Sequence, residues 1–224
     1  MKIKKLDKIL LIIITTISSL YFIETYLFFL QKKIYEERKV DTLGKINFYK
    51  KGETLSVNPS NHLISKNLDF LPLSGISNKN TIYCNEQGYY AKYYSDRYGF
   101  NNSDKIWDSS VIDFLMVGDS FVQGACVDRD NNFSGNLTNI SDKKVLNLGM
   151  DSNGPLLNLA TVKEYAPKNK IKNILWFYYE GNDLEDLDKE FQFKILKKYL
   201  SEESFSQRLL GQQSKIDNAN KNLI

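Results

Sequence analysis

The sequence predicts an α/β protein: a three-layer parallel sheet behind one N-terminal transmembrane helix. Three observations predict it. Residues 9–30 form a mostly apolar run of 22. Three short apolar, β-prone segments, 111–117, 144–150 and 171–179, alternate with helical patterns, and that alternation builds parallel sheets covered by helices. The first of these segments, VIDFLMV, runs straight into Gly118-Asp119-Ser120 with no polar linker.

The apolar run comes first. About 20 helical residues cross a hydrocarbon core, so 9–30 suffices for one span. Lys2, Lys4, Lys5 and Lys8 fill a short basic tail, residues 1–8, and Lys32 and Lys33 follow the run. Glu24 is the one charge inside it and belongs near the headgroups or against a partner helix. A cleaved signal peptide is the rival, but no small-x-small site follows Leu20 and the run continues past the usual length. An interfacial helix fits less well, because residues 9–23 lack a polar face. The expectation is a retained anchor that contacts membrane lipid. Cations nearly balance across it, with Arg38 and Lys39 added to the trailing side. The very short leading tail favours the large domain on the far side of the membrane.

Residues 31–50 read as a charged exit helix or linker ending in a short strand, KINFYK. Residues 51–105 read as small strands and loops, with Gly52, Pro59, Pro72 and Gly75 as punctuation. His62, the only histidine, sits in the turn-like NPSNHLIS and reads as an ordinary surface residue. The tyrosine-rich stretch 81–102 predicts aromatic packing across small strands, with Asp96 and Arg97 fixing a turn; the competing expectation is a wall of a carbohydrate-binding cleft.

Residues 106–200 carry the regular texture. The strand 111–117 is apolar on both faces, as a helix-covered sheet requires. A second strand lies at 144–150. NGPLLNLATVKEYAP predicts a helix with an Asn153 cap, Pro155 in the first turn and Pro167 as the stop. A third, buried strand is expected at 171–179. Leu184, Leu187, Phe191 and Ile195 then recur at helical spacing, with acids early and lysines late to suit the helix dipole. Residues 201–224 read as a polar tail with little to bury.

Ligands of parallel α/β sheets gather at the carboxyl ends of the strands. That rule collects Gly118, Asp119 and Ser120, the loop Gly149–Gly154, and Gly181, Asn182 and Asp183 on one rim. The Ser120 hydroxyl suits nucleophilic attack once a base takes its proton. Backbone N–H groups at Ser120 and in the second loop, with the Asn182 carboxamide, suit a developing oxyanion. Gly118 suits a tight turn. Each residue also has a plain structural role: Asp119, Ser120 and Asp183 as helix caps, Asn182 as a turn residue.

VGDSF, VLNLGMDSNGP and YYEGND together resemble the three blocks of the SGNH, or GDSL-like, hydrolases. DRYGFNN, VIDFLMVGDSFVQGACV and LWFYYEGNDLEDL are similar to membrane-associated members of bacterial surface-polysaccharide systems. The resemblance covers roughly residues 94–190. It implies a flavodoxin-like fold and catalytic roles for Ser120 as nucleophile, Ser152 as backbone oxyanion donor, Asn182 as side-chain oxyanion donor and Gly154 as loop support. Gly118, Asp119, Gly149, Gly181 and Asp183 support them. The implied reaction is ester hydrolysis or O-acyl transfer on an acylated cell-surface glycan, with polysaccharide-assembly proteins as the other candidate partners. The place is a bacterial inner membrane with the C-terminal domain outside the cytoplasm. Ser152 stands where the family has glycine, and Glu180 where the third block begins with glycine. The larger departure is the base. The family supplies an Asp-His pair from a last loop, and no histidine follows Asp183, so the expectation is a domain truncated before that block and impaired. The alternative is a non-enzymatic carbohydrate-binding or assembly protein.

Composition closes off other classes. A net charge of +3, much of it beside the anchor, does not suit nucleic-acid binding. Two cysteines, Cys84 and Cys126, make no C-x-x-C or Cys/His cluster, and no metal or organic cofactor is expected. Their pairing in an oxidising compartment is the minor expectation. A flavodoxin-type phosphate loop would need small or hydroxyl residues where Phe121, Val122 and Gln123 stand.

Overall fold

The computed structural model describes residues 5–49, 52–65, 67–86 and 89–224; the first four residues of the basic tail lie outside these. The chain divides into two units at Asn47 and Phe48.

The first unit is the greater part of one helix, α1 (Lys5–Tyr49). Its 45 residues amount to about 68 Å of helix at 1.5 Å per residue. Ile12–Lys33 is long and apolar enough to cross a membrane, with none of its surface buried by protein. Four hydroxyls within it bond back along the helix: Thr15 and Thr16 donate to the Ile12 carbonyl, Ser19 to Thr15 and Thr25 to Tyr21. A helix in hydrocarbon has no water for these groups, so bonding back one turn satisfies them locally. The strand expected at KINFYK is overturned, since Lys45–Tyr49 continue α1. Helix propagation adds a hydrogen bond per residue, whereas an isolated short strand gains none.

The second unit begins with a small sheet of β1 (Thr54–Leu55), β2 (Asn80–Ile82) and β3 (Lys92–Tyr94). Strand β1 runs parallel to β2, and β2 antiparallel to β3. Asp96 follows at once and is buried, accepting from the Tyr98 and Phe100 amides, the Asn102 amide group and the Trp107 indole. Arg97 turns outward and pairs with Asp104 and Asp108. Tyr98 and Phe100 pack on Trp107 and Tyr165. Aromatic packing is therefore shown for Tyr98 and Phe100, beyond the small strands rather than across them, while Tyr89 and Tyr94 are exposed; the turn is fixed by Asp96 and Arg97 as its composition suggests.

The central sheet has strand order β5–β4–β6, all parallel, from β4 (Ile112–Val117), β5 (Val145–Asn147) and β6 (Ile171–Trp176). Between β4 and β5 lie α2 (Ser120–Gln123) and α3 (Phe133–Ser141), and between β5 and β6 lies α4 (Pro155–Tyr165). Leu115 and Val117 join Leu156, Leu157 and Ala160 of α4 in the main core. Met116 points the other way, to Val122 and Val145, with Leu137 of α3 against them. Alternation along one strand thus seals helices onto both faces.

Three expectations fail here. Strand β6 is not buried: Ile174 is 52% and Trp176 57% exposed. It is an edge strand, with β4 as its one partner among the described residues. The helix expected beyond Asp183 is two helices, α5 (Asp183–Glu190) and α6 (Lys194–Ser201). The break at Phe191–Phe193 shifts the helical phase so that Ile195, Leu196 and Tyr199 all reach the core, while Leu184 stays exposed. The supposed polar tail is structural. Leu209 and Ile216 are fully buried, and α7 (Gln213–Lys221) returns to the 70s loop through Asp217, which accepts from the Ser77 N–H and hydroxyl.

Candidate functional site

The first rim loop starts where β4 ends. At Gly118 an added Cβ would lie 2.6 Å from Val122 Cγ2 and 3.1 Å from Phe177, so only glycine lets the strand turn directly into α2. Asp119 caps that helix, its carboxylate accepting the Phe121 N–H at 2.9 Å. Ser120 is the first helical residue and is half-buried. Among the described residues, neither its hydroxyl nor its N–H has a hydrogen-bond partner. Gly124, at φ +93°, ends the turn.

The second loop is fastened to the first. Asn147, at the end of β5, donates to the Val122 carbonyl at 2.6 Å and accepts the Gly149 N–H at 2.8 Å. A Cβ on Gly149 would sit 2.5 Å from the Gln123 nitrogen. Fully buried Gln123 accepts the Asp151 N–H and donates to Ser56 and Tyr93. Ser152 has φ +58°, the left-handed region that glycine favours. Its backbone N–H is without a partner among the described residues. Asn153 does not cap α4; Gly154 occupies that position. Both polar atoms of the buried Asn153 side chain lack partners among the described residues.

The third loop closes the rim. The Asp183 carboxylate accepts the Tyr179 N–H at 2.9 Å, and Gly181 has no Cβ to strike the Tyr179 ring. Tyr179 meets Phe121 with ring centroids 5.3 Å apart, joining loops one and three. A cavity of about 220 Å³ lined by Ser152, Asp186 and Glu190 adjoins loops two and three. The three loops expected at one rim are therefore in mutual contact.

The side chains only partly follow. Asn182 stands at the N-cap position of α5 without a side-chain capping bond and donates to Asp186 Oδ2 at 2.9 Å, while its own oxygen is buried without a partner among the described residues. His62 is not an ordinary surface residue. It is half-buried and bonded through Nε2 to Asn220 of α7 at 2.7 Å, and it makes no hydrogen bond to Ser120. Burial lowers its pKa, opposed by the Asn220 bond. Around the rim the field is acidic: burial raises the Asp119 pKa, helped by the charges of Asp183 and Asp151. Asp183 is raised chiefly by burial too. Among the described residues, no three His, Cys, Asp or Glu side chains converge as metal ligands.

No family model, curated protein or solved structure matches the chain. Chemically, the rim offers a free hydroxyl, free backbone N–H groups at Ser120 and Ser152, and carboxylates nearby. It offers Ser120 no imidazole.

Sequence reasoning passed over four residues that hold this rim: Gln123, Asn147, Asp186 and Glu190. The first two carried a signal, since an amide inside an otherwise apolar run is buried only with partners. Cys84 and Cys126, whose pairing was the minor expectation, form a disulfide. It tethers the loop after α2 to the segment following β2.

Proposed function

We propose that this chain is a membrane-anchored domain of SGNH hydrolase type that handles acyl esters on a cell-surface glycan. The observation that carries the reading is Ser120, presented at the end of a parallel strand with its hydroxyl and its N–H both free among the described residues, while the adjoining second loop carries another free N–H at Ser152. In the proposed chemistry Ser120 Oγ bonds to the acyl carbonyl carbon as its proton passes to solvent water, which returns a proton to the leaving alkoxide. The carbonyl oxygen becomes an oxyanion facing the two N–H groups. Collapse expels the sugar alkoxide, which takes up a proton. Water completes hydrolysis, or a second sugar hydroxyl completes acyl transfer.

Without an imidazole partner for Ser120 the reaction is slow, since an oxyanion hole and binding alone retain only about 10³–10⁴-fold of a serine triad's acceleration. The apolar span of α1 supports an anchor in a bacterial inner membrane. The Cys84–Cys126 disulfide supports a domain outside the cytoplasm, where thiols stay oxidised.

A fluorophosphonate probe on the full-length chain tests this. Labelling abolished by Ser120→Ala is the expected result, and folded protein that takes no label would sink the reading. A second reading, glycan binding without turnover, draws on the attachment of Asn182 to Asp186 and of His62 to Asn220. It requires an unlabelled protein that still retains glycan after Ser120→Ala.

A further inference from the structure

A second cavity, of about 450 Å³, is walled by Asn67–Phe70, by α6 and by residues of 205–215. It shares no lining residue with the rim. Its volume falls within the roughly 300–1,000 Å³ of small-ligand sites. Three lysines, Lys194, Lys198 and Lys215, stand around it against one acid, Asp69. None of the three makes an ion pair among the described residues. Lys194 and Lys198 lie one turn apart on α6, a spacing at which like charges repel.

Two aromatic rings accompany the cations. The Lys215 ammonium lies 3.8 Å from the Phe70 ring centroid, which fixes its position. Lys198 lies 5.4 Å from the centroid of Phe205, a looser contact on a half-buried ring. Asn67 and Gln212 complete the wall with carboxamides. A bare inorganic anion would use only the ammonium groups. A ligand that also used the Phe205 ring and the carboxamides would need an apolar ring face and hydroxyl groups.

We propose that this cavity binds an acidic sugar residue, with its carboxylate among Lys194, Lys198 and Lys215 and its ring face against Phe205. The site is independent of any chemistry at Ser120. Trigalacturonate, titrated calorimetrically into the full-length chain in neutral detergent, is the probe. Binding should weaken at least tenfold in K194Q/K198Q/K215Q and severalfold in Phe205→Ala, and should fall as salt screens the charges. The methyl-esterified trisaccharide should not bind, and Ser120→Ala should bind like the parent. The three lysines are exposed, so the triple variant should keep the parent's melting temperature. Absence of binding at millimolar trigalacturonate overturns the proposal. So does equal affinity for the methyl ester, undiminished binding by the folded triple variant, or displacement by inorganic phosphate at matching concentration.

Discussion

The Glu190 carboxylate accepts the Gly154 N–H at 2.8 Å, hanging the second rim loop from the end of α5. Its other oxygen takes the Leu156 and Leu157 amides, so one buried side chain caps α4 from another helix. These N–H groups are orphans of the helix start and need an acceptor. Helix α5 begins at Asp183, directly after Asn182, so Glu190 links two of the three rim loops through a single element.

That position sets a pH dependence. Burial pushes the Glu190 pKa up to about 7, against the lowering effect of its backbone bonds. A raised folded pKa means that the native state holds the proton longer than the unfolded chain does. The stability it contributes is complete below the unfolded value of 4.5 and is lost as pH rises through about 7. The full effect is at most roughly 3 kcal/mol at 1.36 kcal/mol per pKa unit. Melting temperatures from pH 4.5 to 8 should show this fall in the parent and lose it in Glu190→Gln. His62 acts with opposite sign, because its folded pKa is lowered and its contribution disappears as pH drops below 6.5. A profile unchanged by Glu190→Gln would refute the assignment.

Gly149→Ala should separate loop two from α2. The new Cβ would meet the Gln123 nitrogen at 2.5 Å and Val122 at 2.7 Å, backbone and core atoms that cannot swing aside. Overpacking of this kind costs about 1–3 kcal/mol. Gly211→Ala is the matched control, with nothing within 4 Å of its Cβ, and should move stability by less than about 0.5 kcal/mol. Chemical denaturation of both variants measures the difference. Similar losses in the two would show that the loop–helix approach is not tight.

These contacts mark what was legible and what was not. The order β4, β5, α4, β6 and the contact of three rim loops could be read from Gly118-Asp119-Ser120, Gly149–Gly154 and Gly181-Asn182-Asp183. Parallel strand direction follows from apolar segments alternating with helical ones, and strand ends then fall on one side; the order β5–β4–β6 was not expected in advance. The tail could not be read this way. Leu209 and Ile216 are isolated apolar residues in a mostly polar stretch, without a periodic signal, and the Leu209 N–H is held by Glu164, 45 residues earlier. The exposure of β6 was equally hidden, because an apolar run does not reveal whether a second strand lies beside it. His62 and Asn220 are 158 residues apart, and no local pattern announces their bond.

Glu164→Gln should loosen the C-terminal segment before the rest of the domain. Its carboxylate accepts from the Tyr199 and Ser206 hydroxyls and from the Gln207 and Leu209 amides. An amide in its place turns donors toward donors. Each buried group left unpaired costs about 1–3 kcal/mol, so a total loss of roughly 3 kcal/mol is expected. Hydrogen exchange should rise across residues 199–221 while β4 stays protected. Uniform loss of protection would instead make the segment part of one cooperative unit with the sheet.

The disulfide permits a joint test of stability and sidedness. Cys84 and Cys126 are 42 residues apart, and closing such a loop is worth about 4 kcal/mol in the chain-entropy model. Cys126 is buried directly after the turn that carries Ser120. Cys84→Ser with Cys126→Ser should therefore lower the melting temperature and make Ser120 labelling more sensitive to heat. Adding a reductant to the denatured parent before refolding should reproduce both effects. In bacterial cells expressing the full chain, a thiol-reactive polymer should leave the denatured protein unmodified until it is reduced, because exported cysteines are already paired. Immediate modification of both cysteines would place the domain among reduced thiols, reverse the proposed membrane orientation, and leave the loop after α2 without its covalent tether.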